Sequence, residues 1–274
     1  MKLLSGSDLA GFIKERQARQ VRGLRQARGI APQLAIIRTN PDPVVDSYMK
    51  LKQDYVNDIL IDVTVHTIDQ TEALTRIAEL NKDTNVHGII VQIPLPDITQ
   101  TDEILNAVAP EKDVDGLAAV TKFDPATPMA IDWLLAGYNV DLSRKKILVI
   151  GQGRLVGKPL TNLWQASNYQ VTTADKSSSE DLASLAREAD VIVCATGRPG
   201  LLTAEMVSPK AVIVDAGVAT DSNGLVGDVD PAVRNLPEIT ITPNKGGVGP
   251  LTVCALFENV IRAAQAVSEV SIDS

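Results

Sequence analysis

A short apolar run that leads directly into closely spaced glycines limits the folds open to this chain. Residues 146–150 have the pattern of a buried strand, and Gly151-Gln-Gly-Arg-Leu-Val-Gly157 follows at once. Gly151 and Gly153 permit a tight turn, and Gly157 permits close packing or close approach by a ligand. Such a turn directs helix N-terminal N–H groups at an anion, which suits a pyrophosphate. The segment predicts a dinucleotide site, although its G-x-G-x-x-x-G spacing is one residue longer than the usual fingerprint, and an ordinary glycine-rich turn is the alternative.

An acidic residue after the next predicted strand bears on the choice of cofactor. Residues 169–173 have a strand pattern, and Asp175 follows them closely. A carboxylate there can accept hydrogen bonds from the adenosine ribose hydroxyls, and it would repel the 2′-phosphate of NADP. Lys176 and Arg154 are near enough in sequence to offset part of that repulsion, and Asp175 could instead cap a turn or the helix predicted near Ser178. We therefore expect NAD, with NADP as the alternative.

Size and charge exclude several classes of function. The 274 residues suffice for one large or two medium domains, and the net charge of −8 gives no basic surface for nucleic acid. No apolar run approaches the length of a membrane span, and the N-terminal residues do not resemble a signal peptide. Cys194 and Cys254 lie in apolar surroundings, which favours buried reduced thiols, and His66 and His87 have no spacing typical of metal ligands. We expect a cytoplasmic protein with no metal site, no nucleic-acid partner and no membrane partner.

Strand and helix patterns alternate along the chain, which predicts an α/β fold. The predicted strands are 33–38, 61–67, 88–92, 146–150, 169–173, 191–195 and 211–215. The predicted helices are 44–60, 70–81, 101–108, 157–167, 179–188 and 250–267. Prolines interrupt the pattern between Phe123 and Pro128, which indicates a domain boundary. We expect a catalytic domain at 1–124, a dinucleotide-binding domain at 125–249, and a C-terminal helix at 250–274 that packs back on the catalytic domain.

Four polar side chains are candidates for chemistry in the first half. Tyr48 and Lys52 are four apart on one predicted helix and share a face, where the ring could stack on a ligand and a shielded lysine could exchange protons. The alternative is a solvated lysine beside a half-buried tyrosine. Gln92 ends the strand at 88–92, where open α/β sheets bind ligands, or it pairs with a loop. Asp115 could bind an amino-substituted heterocycle or organise the Asp-Gly turn.

Eight short segments occur in an order that is far more specific than any one of them. They are Ser47-Tyr-Met-Lys-Leu-Lys52, Val91-Gln-Ile-Pro-Leu-Pro96, Lys112-Asp-Val-Asp-Gly116, Pro125-Ala-Thr-Pro128, the turn from Gly151 to Pro159, Val214-Asp-Ala-Gly217, Gly227-Asp-Val-Asp230 and Gly246-Gly-Val-Gly-Pro250. Together they closely resemble the methylenetetrahydrofolate dehydrogenase/methenyltetrahydrofolate cyclohydrolase family, from about residue 33 to 262.

The resemblance implies an architecture, two activities and a set of site residues. It implies an N-terminal α/β catalytic domain and a Rossmann-like doubly wound domain with a cleft between them, and a homodimer. It implies oxidation of 5,10-methylenetetrahydrofolate and hydrolysis of the methenyl product to 10-formyltetrahydrofolate. Tyr48 would stack on the folate, Lys52 would transfer protons, Gln92 would hold and tune Lys52, and Asp115 would bind the pterin. The expected folate-side residues are Gly247, Val248 and Pro250. The expected cofactor-side residues are Gly151, Gln152, Gly153, Arg154, Leu155, Val156, Gly157, Asp175, Gly217, Val218 and Thr242.

The chain departs from the family pattern at several positions. Gln152 and Gly153 replace the usual Arg and Ser of a G-R-S turn, and Asp175 stands where basic or hydroxylated residues are usual; both changes favour NAD. Ala126 replaces a cysteine, and Asn244-Lys245 replaces Val-Pro. Three alternatives stay open: a dehydrogenase that has lost hydrolysis, a nicotinamide-dependent dehydrogenase of a small hydroxy or amino acid, and a dinucleotide-sensing regulatory domain.

Overall fold

The computed structural model describes residues 1–40, 55–175, 181–221 and 224–270. In the described residues the strands are β1 (Lys2–Leu3), β2 (Gln33–Arg38), β3 (Asp62–Thr67), β4 (Gly88–Val91), β5 (Lys146–Ile150), β6 (Gln170–Ala174), β7 (Val191–Cys194), β8 (Val212–Asp215), β9 (Ala219–Asp221), β10 (Gly224–Val226) and β11 (Thr240–Ile241). The helices are α1 (Gly6–Arg28), α2 (helical residues 55–59), α3 (Ala73–Lys82), α4 (Thr101–Asn106), α5 (Ala126–Gly137), α6 (Gly157–Ala166), α7 (Leu182–Glu188) and α8 (Val248–Val270). None of these helices is long and apolar enough to span a membrane.

Two compact units divide the chain. The first, here the six-stranded unit, comprises Met1–Ala10 and Thr127–Thr252. The second, here the three-stranded unit, comprises Gly11–Ala126 and Val253–Ser274. The N-terminal ten residues therefore group with the second half of the chain, because β1 pairs in parallel with β11.

A parallel sheet in the order β1-β11-β8-β7-β5-β6 forms the six-stranded unit. The central strands β5 and β7 are almost continuously apolar and buried, as expected for parallel strands covered on both faces. At the edge, β6 is largely exposed. The chain leaves β5 through α6 to reach β6 on one side, and it returns through α7 to β7 on the other side. The carboxyl ends of β5 and β7 therefore form a topological switch point, where such sheets bind ligands.

A shorter parallel sheet, in the order β3-β2-β4, forms the three-stranded unit. The apolar faces of α3 and α4 pack on it through a buried cluster that includes Ile77, Ile89 and Ile104. Residues of α8 pack in the same unit, where the Phe257 ring stacks on Tyr55 with centroids 5.5 Å apart. Cys194 and Cys254 are both buried, as predicted.

The predicted elements agree with the structure except at their ends, and six further elements of the described residues were not predicted. The predicted strands 33–38 and 146–150 are confirmed to the residue, and the strand predicted at 88–92 ends at Val91. The predicted helix 70–81 begins as a 3-10 turn at Gln70–Glu72 and continues as α3. The sequence analysis did not predict α1, α5, β1, β9, β10 or β11. The helix predicted at 44–60 is helical over 55–59, and its residues 44–54 lie outside the described part.

Candidate active site

The glycine turn after β5 has the geometry of a phosphate cradle. Gly151 has a φ of +94°, and its N–H donates to the Ala174 carbonyl at 2.7 Å. A Cβ added at Gly151 would lie 2.4 Å from the Ala195 carbonyl oxygen, and one added at Gly157 would lie 1.7 Å from the Gly151 carbonyl oxygen. Both positions therefore require glycine. The turn touches the loop after β7, so it lies at the switch point.

The helix that follows this turn presents its N-terminus at the same edge of the sheet. Residues 154–156 form the turn, which holds Arg154 and an exposed Leu155, and α6 begins at Gly157. Val156 occupies the N-cap position and supplies no side-chain cap. In the first turn of α6, the Lys158 N–H donates to the Gly153 carbonyl at 3.1 Å, the Leu160 N–H donates to the Val156 carbonyl at 2.9 Å, and Pro159 has no N–H. The N–H groups of Gly157 and of the preceding turn are therefore the candidates for contact with a pyrophosphate.

Gln152 and Asp175 are the two residues that the sequence analysis expects near the adenosine end of the cofactor. The Gln152 amide donates to the Thr161 hydroxyl at 3.2 Å and to the Gly151 carbonyl at 3.1 Å, so it folds back onto α6. Asp175 is exposed directly after β6, next to the Ala174 carbonyl that Gly151 contacts. Gln152 is a neutral amide held against α6 and Asp175 is an exposed acid, so neither of these two residues supplies a cation for a 2′-phosphate.

A fully buried carboxylate, Asp228, and a half-buried one, Asp215, join the loops after β7 and β8. Asp215 accepts from the N–H groups of Gly217, Asp228 and Val229 at 3.0–3.2 Å. Asp228 is fully buried and accepts from Thr196 through both its N–H, at 2.6 Å, and its hydroxyl, at 2.8 Å. Burial is the main cause that raises the pKa of Asp215, against the lowering effect of its N–H donors. Gly217 is half-buried on this network, whereas the neighbouring Val218 is 51% exposed.

The last predicted cofactor residue, Thr242, is fully buried. Its hydroxyl accepts from the Asp215 N–H at 2.9 Å, and its carbonyl accepts from Arg234 at 2.6 Å. Thr242 therefore binds the Asp215 backbone and the Arg234 side chain, and it has no exposed surface of its own. Burial lowers the pKa of Arg234, and the nearby Asp215 raises it.

The second glycine-rich loop packs on the beginning of α1. Gly246 has a φ of +80°, and its carbonyl accepts from the Ser7 N–H at 3.0 Å. The Gly247 carbonyl would lie 1.8 Å from a Cβ added at Gly6. Val248 is buried and Pro250 is half-buried, so of these expected folate-side residues Pro250 presents more surface. This loop is a fixed part of the six-stranded unit rather than a loose connector.

In the three-stranded unit, Gln92 and Asp115 approach the same edge of the sheet. Gln92 follows β4, and its amide donates to the Ile93 carbonyl at 3.2 Å. Asp113 pairs in parallel with Ile89, so the chain beyond each runs toward the same edge. Asp115 is half-buried there, and Gly116 follows with a φ of +67°. Tyr48 and Lys52, the other candidates in this unit, lie outside the described residues.

The described end of α2 is anchored through Tyr55. Its hydroxyl donates to Gln17 at 2.7 Å and lies 3.2 Å from the Cys254 sulfur. Burial raises the pKa of the Tyr55 phenol, and Cys254 adds to the rise. Tyr55 comes three residues after Lys52 in sequence. This contact fixes the start of the helical segment 55–59 against residues of α1 and α8.

Comparison with known proteins decides the family. The catalytic-domain model of tetrahydrofolate dehydrogenase/cyclohydrolase matches residues 4–115, and the NAD(P)-binding-domain model matches residues 125–268. The chain belongs to the tetrahydrofolate dehydrogenase/cyclohydrolase family. The resemblance inferred from the ordered motifs is confirmed, and so are the two α/β domains and the binding of NAD(P) by the second of them.

Relatives within the family match along nearly the whole chain. The bifunctional protein FolD of Staphylococcus aureus is 38% identical over 277 residues, which cover 96% of each chain. The crystal structure of the bifunctional FolD enzyme from Campylobacter jejuni is 34% identical, with a TM-score of 0.92 over 97% of this chain and 99% of that one. A 5,10-methylenetetrahydrofolate dehydrogenase from the silkworm Bombyx mori is 32% identical, with a TM-score of 0.90 over 97% and 98%.

Asn259 is a residue of this family member that the sequence analysis missed. It is fully buried on α8, and its amide donates to the carbonyls of Val114 and Asp124, both at 2.9 Å. These carbonyls flank Asp115 and Gly116, so Asn259 holds the expected pterin-binding segment from both sides. Only its place in an apolar helix marks Asn259 in the sequence, because a buried polar residue there needs partners.

We expect Asn259→Ala to lower the free energy of unfolding by roughly 2–3 kcal/mol, because a buried carbonyl loses its donor. Urea denaturation measures the change. The matched control is Asn57→Ala on the exposed face of α2 in the same unit, which should change stability by about 0.5 kcal/mol or less. Equal effects of the two substitutions would contradict the structural role of Asn259.

Proposed function

We propose that this protein oxidises 5,10-methylenetetrahydrofolate to the methenyl compound, with NAD as its preferred cofactor, and hydrolyses that product to 10-formyltetrahydrofolate. The observation that carries the proposal is the match of both family domains, and it is supported by a turn in which Gly151 and Gly157 leave no room for a Cβ. The catalytic-domain match covers residues 4–115, which include the expected site residues Lys52, Gln92 and Asp115. Relatives named as bifunctional along the whole length support both activities.

The cofactor half of this proposal depends on the loops of the six-stranded unit. The Gly151–Gly157 turn and the α6 N-terminus would hold the pyrophosphate, and Asp175 would accept from the adenosine ribose. The backbone at Gly217 and Val218 would lie beside the nicotinamide. The buried Thr242 would support this loop by accepting a hydrogen bond from the Asp215 N–H. A bound nicotinamide supplies a hydride acceptor for the one-carbon bridge. These residues need move no proton in that step, so their contribution is positioning.

The folate half depends on the three-stranded unit. Asp115 would accept hydrogen bonds from the amino group and ring nitrogen of the pterin, and the Tyr48 ring would stack on the aminobenzoate. Gly247, Val248 and Pro250 would lie on the folate side. Water adds to the cationic methenyl carbon during hydrolysis, and protons must then move. Lys52 would carry them, with its protonation state tuned by Gln92.

The same proposal places the enzyme in an assembly and a compartment. The family resemblance supports a homodimer, and the match to bacterial FolD relatives supports a cytoplasmic site of action. Size-exclusion chromatography with light scattering tests the first expectation, with a mass of two 29.3 kDa chains as the expected result. A single-chain mass at micromolar concentration would contradict it.

We expect Asp175→Ser to raise the NADP-to-NAD ratio of kcat/KM roughly ten-fold, the order expected when a nearby like charge is removed at a solvent-exposed site. Dehydrogenase assays with each cofactor measure the ratio. Asp141→Ser serves as the control, because it removes the same charge from the loop that precedes β5. That loop lies at the amino ends of the strands, whereas Asp175 lies at their carboxyl ends. An unchanged ratio in Asp175→Ser, or an equal change in the control, would show that charge repulsion at this site does not select NAD.

A further inference from the structure

The fully buried Asp228 and the half-buried Asp215 of the six-stranded unit have no part in the chemistry described above. We propose that Asp215 and Asp228 are positioning residues, which act through Gly217 and Thr196 to hold the nicotinamide-side backbone in place for hydride transfer. The proposal rests on the proposed function and adds to it the residues that set the geometry of oxidation without touching the cofactor.

Asp215 fixes the loop after β8. Its carboxylate accepts from Gly217 at 3.2 Å, two residues ahead, and from Asp228 and Val229 at 3.0 and 3.1 Å on a separate segment. Its own N–H donates to the Thr242 hydroxyl at 2.9 Å. Asp215 therefore joins the Gly217 loop to residues 228–229 through its side chain, and it binds Thr242, the residue that follows β11, through its backbone N–H.

Asp228 carries the connection to the neighbouring loop after β7. One carboxylate oxygen, Oδ2, accepts both the N–H and the hydroxyl of Thr196. The sheet supports the same juxtaposition, because Cys194 pairs with Asp215 and the Ala216 N–H donates to the Cys194 carbonyl at 2.8 Å. The two acids thus form a continuous chain of hydrogen bonds from Thr196 to Gly217 across adjacent strand ends.

Gly217 packs directly against the series of hydrogen bonds that links Thr196 to Asp215, and there is no space for a side chain. A Cβ added at Gly217 would lie 2.1 Å from the Asp228 Cγ and 2.2 Å from its Oδ1. That Oδ1 is buried and has no hydrogen-bond partner. A fully buried carboxylate with an unused oxygen costs stability, since burial of an unpaired acceptor is unfavourable. A residue kept at such a cost, in contact with the expected nicotinamide loop, is explained by the need to place that loop accurately.

Assays of both proposed activities distinguish a loss of positioning from a loss of stability. Hydride transfer requires the donor and acceptor carbons at contact distance, and a displacement of about 1 Å can cost on the order of 100-fold in rate. Hydrolysis of methenyltetrahydrofolate needs no nicotinamide and can be assayed without it. A shift of Gly217 should therefore reduce oxidation and spare hydrolysis, whereas partial unfolding of the enzyme would reduce both.

The decisive variant is Asp215→Asn, which keeps the side-chain size but points an amide N–H at backbone N–H donors. We expect the kcat of NAD-dependent oxidation to fall about 10- to 100-fold and the KM for NAD to rise, with methenyl hydrolysis within about two-fold of wild type. Asp190→Asn is the matched control, because Asp190 also accepts a backbone N–H, from Lys146 at 2.9 Å. Asp190 lies at the amino ends of the strands, whereas Asp215 lies at their carboxyl ends. Asp190→Asn should leave both activities within about two-fold of wild type.

Thr196→Val keeps the inference testable if Asp215→Asn does not fold. It removes the hydroxyl bond to Asp228 and retains the N–H bond, so a smaller loss, roughly three- to ten-fold, should again be confined to oxidation. Parallel loss of oxidation and hydrolysis, or a result equal to that of Asp190→Asn, would overturn the positioning role. A wild-type enzyme that reduces neither NAD nor NADP with methylenetetrahydrofolate would instead overturn the proposed function.

Discussion

Lys52→Met is expected to abolish hydrolysis of methenyltetrahydrofolate while retaining a substantial part of the oxidation. Proton transfer by a positioned side chain contributes on the order of 100- to 10,000-fold, and methionine keeps the length of lysine without its titratable amine. Oxidation transfers a hydride and requires no proton transfer by the side chain. The two rates should therefore separate by at least about 100-fold in this variant.

The assay for Lys52→Met follows the disappearance of methenyltetrahydrofolate in the absence of cofactor, alongside the reduction of NAD with methylenetetrahydrofolate. Lys50→Met is the control, since Lys50 is two residues away and lies on another face of the predicted helix. It should retain both activities. If Lys52→Met lost oxidation and hydrolysis in the same proportion, Lys52 would be a binding residue rather than the proton-transfer group.

Gly157→Ala should destroy the phosphate cradle and leave the folate chemistry in place. The added Cβ would lie 1.7 Å from the Gly151 carbonyl oxygen and 2.7 Å from its carbon, so backbone must move away from backbone. Overpacking of this kind costs about 1–3 kcal/mol, which corresponds to a rise in KM for NAD of roughly 10- to 100-fold if the displaced turn bears the cost.

Gly11→Ala provides the control for Gly157→Ala. Both substitutions add one methyl group to a helical glycine, but a Cβ at Gly11 meets nothing within 4 Å, and Gly11 is exposed on α1, outside the predicted dinucleotide turn. Gly11→Ala should therefore change the KM for NAD by less than about three-fold, as expected for a surface substitution. Methenyl hydrolysis by Gly157→Ala reports whether the rest of the enzyme is intact. Equal KM values for the two variants would show that Gly157 is not needed for the cradle.

The sequence predicts most of the elements that carry an apolar pattern, and it fails where that pattern is absent or ambiguous. The strand β5 and the glycine turn were predictable, because a buried parallel strand is a continuous apolar run and the turn needs residues without a Cβ. By contrast, β1 and β11 have two residues each and leave no periodic signal. They form only because a neighbouring strand offers backbone partners, and this depends on the tertiary fold.

The two helices missed by the sequence analysis had different causes. The helix α1 is rich in arginine and glutamine, which obscures the narrow stripe that includes the buried Val21 and Leu24. In α5, Pro128 was interpreted as an interruption of the pattern. It lies in the first helical turn, where the missing N–H of proline is harmless. Pro128 therefore marks the start of a helix as well as the predicted domain boundary.

The supporting acids were visible in the sequence, but their role was not. Asp215 and Asp228 both occur in motifs that carried the family resemblance, yet an acid at a strand end can be a ligand, a cap or a solvated charge. Burial and the identity of the donors decide among these, and both depend on which loops the sheet order brings together. The strand order β8-β7-β5 places the Thr196 and Gly217 loops side by side, which no local pattern encodes.

The most direct test of the proposed function mixes the wild-type protein with 5,10-methylenetetrahydrofolate and either NAD or NADP, and follows reduced cofactor and methenyl absorbance together. Reduction should be faster with NAD, and methenyltetrahydrofolate should disappear faster than its spontaneous hydrolysis. Failure to reduce either cofactor would contradict the assigned oxidation, and methenyl product that decays only at the uncatalysed rate would contradict the assigned hydrolysis.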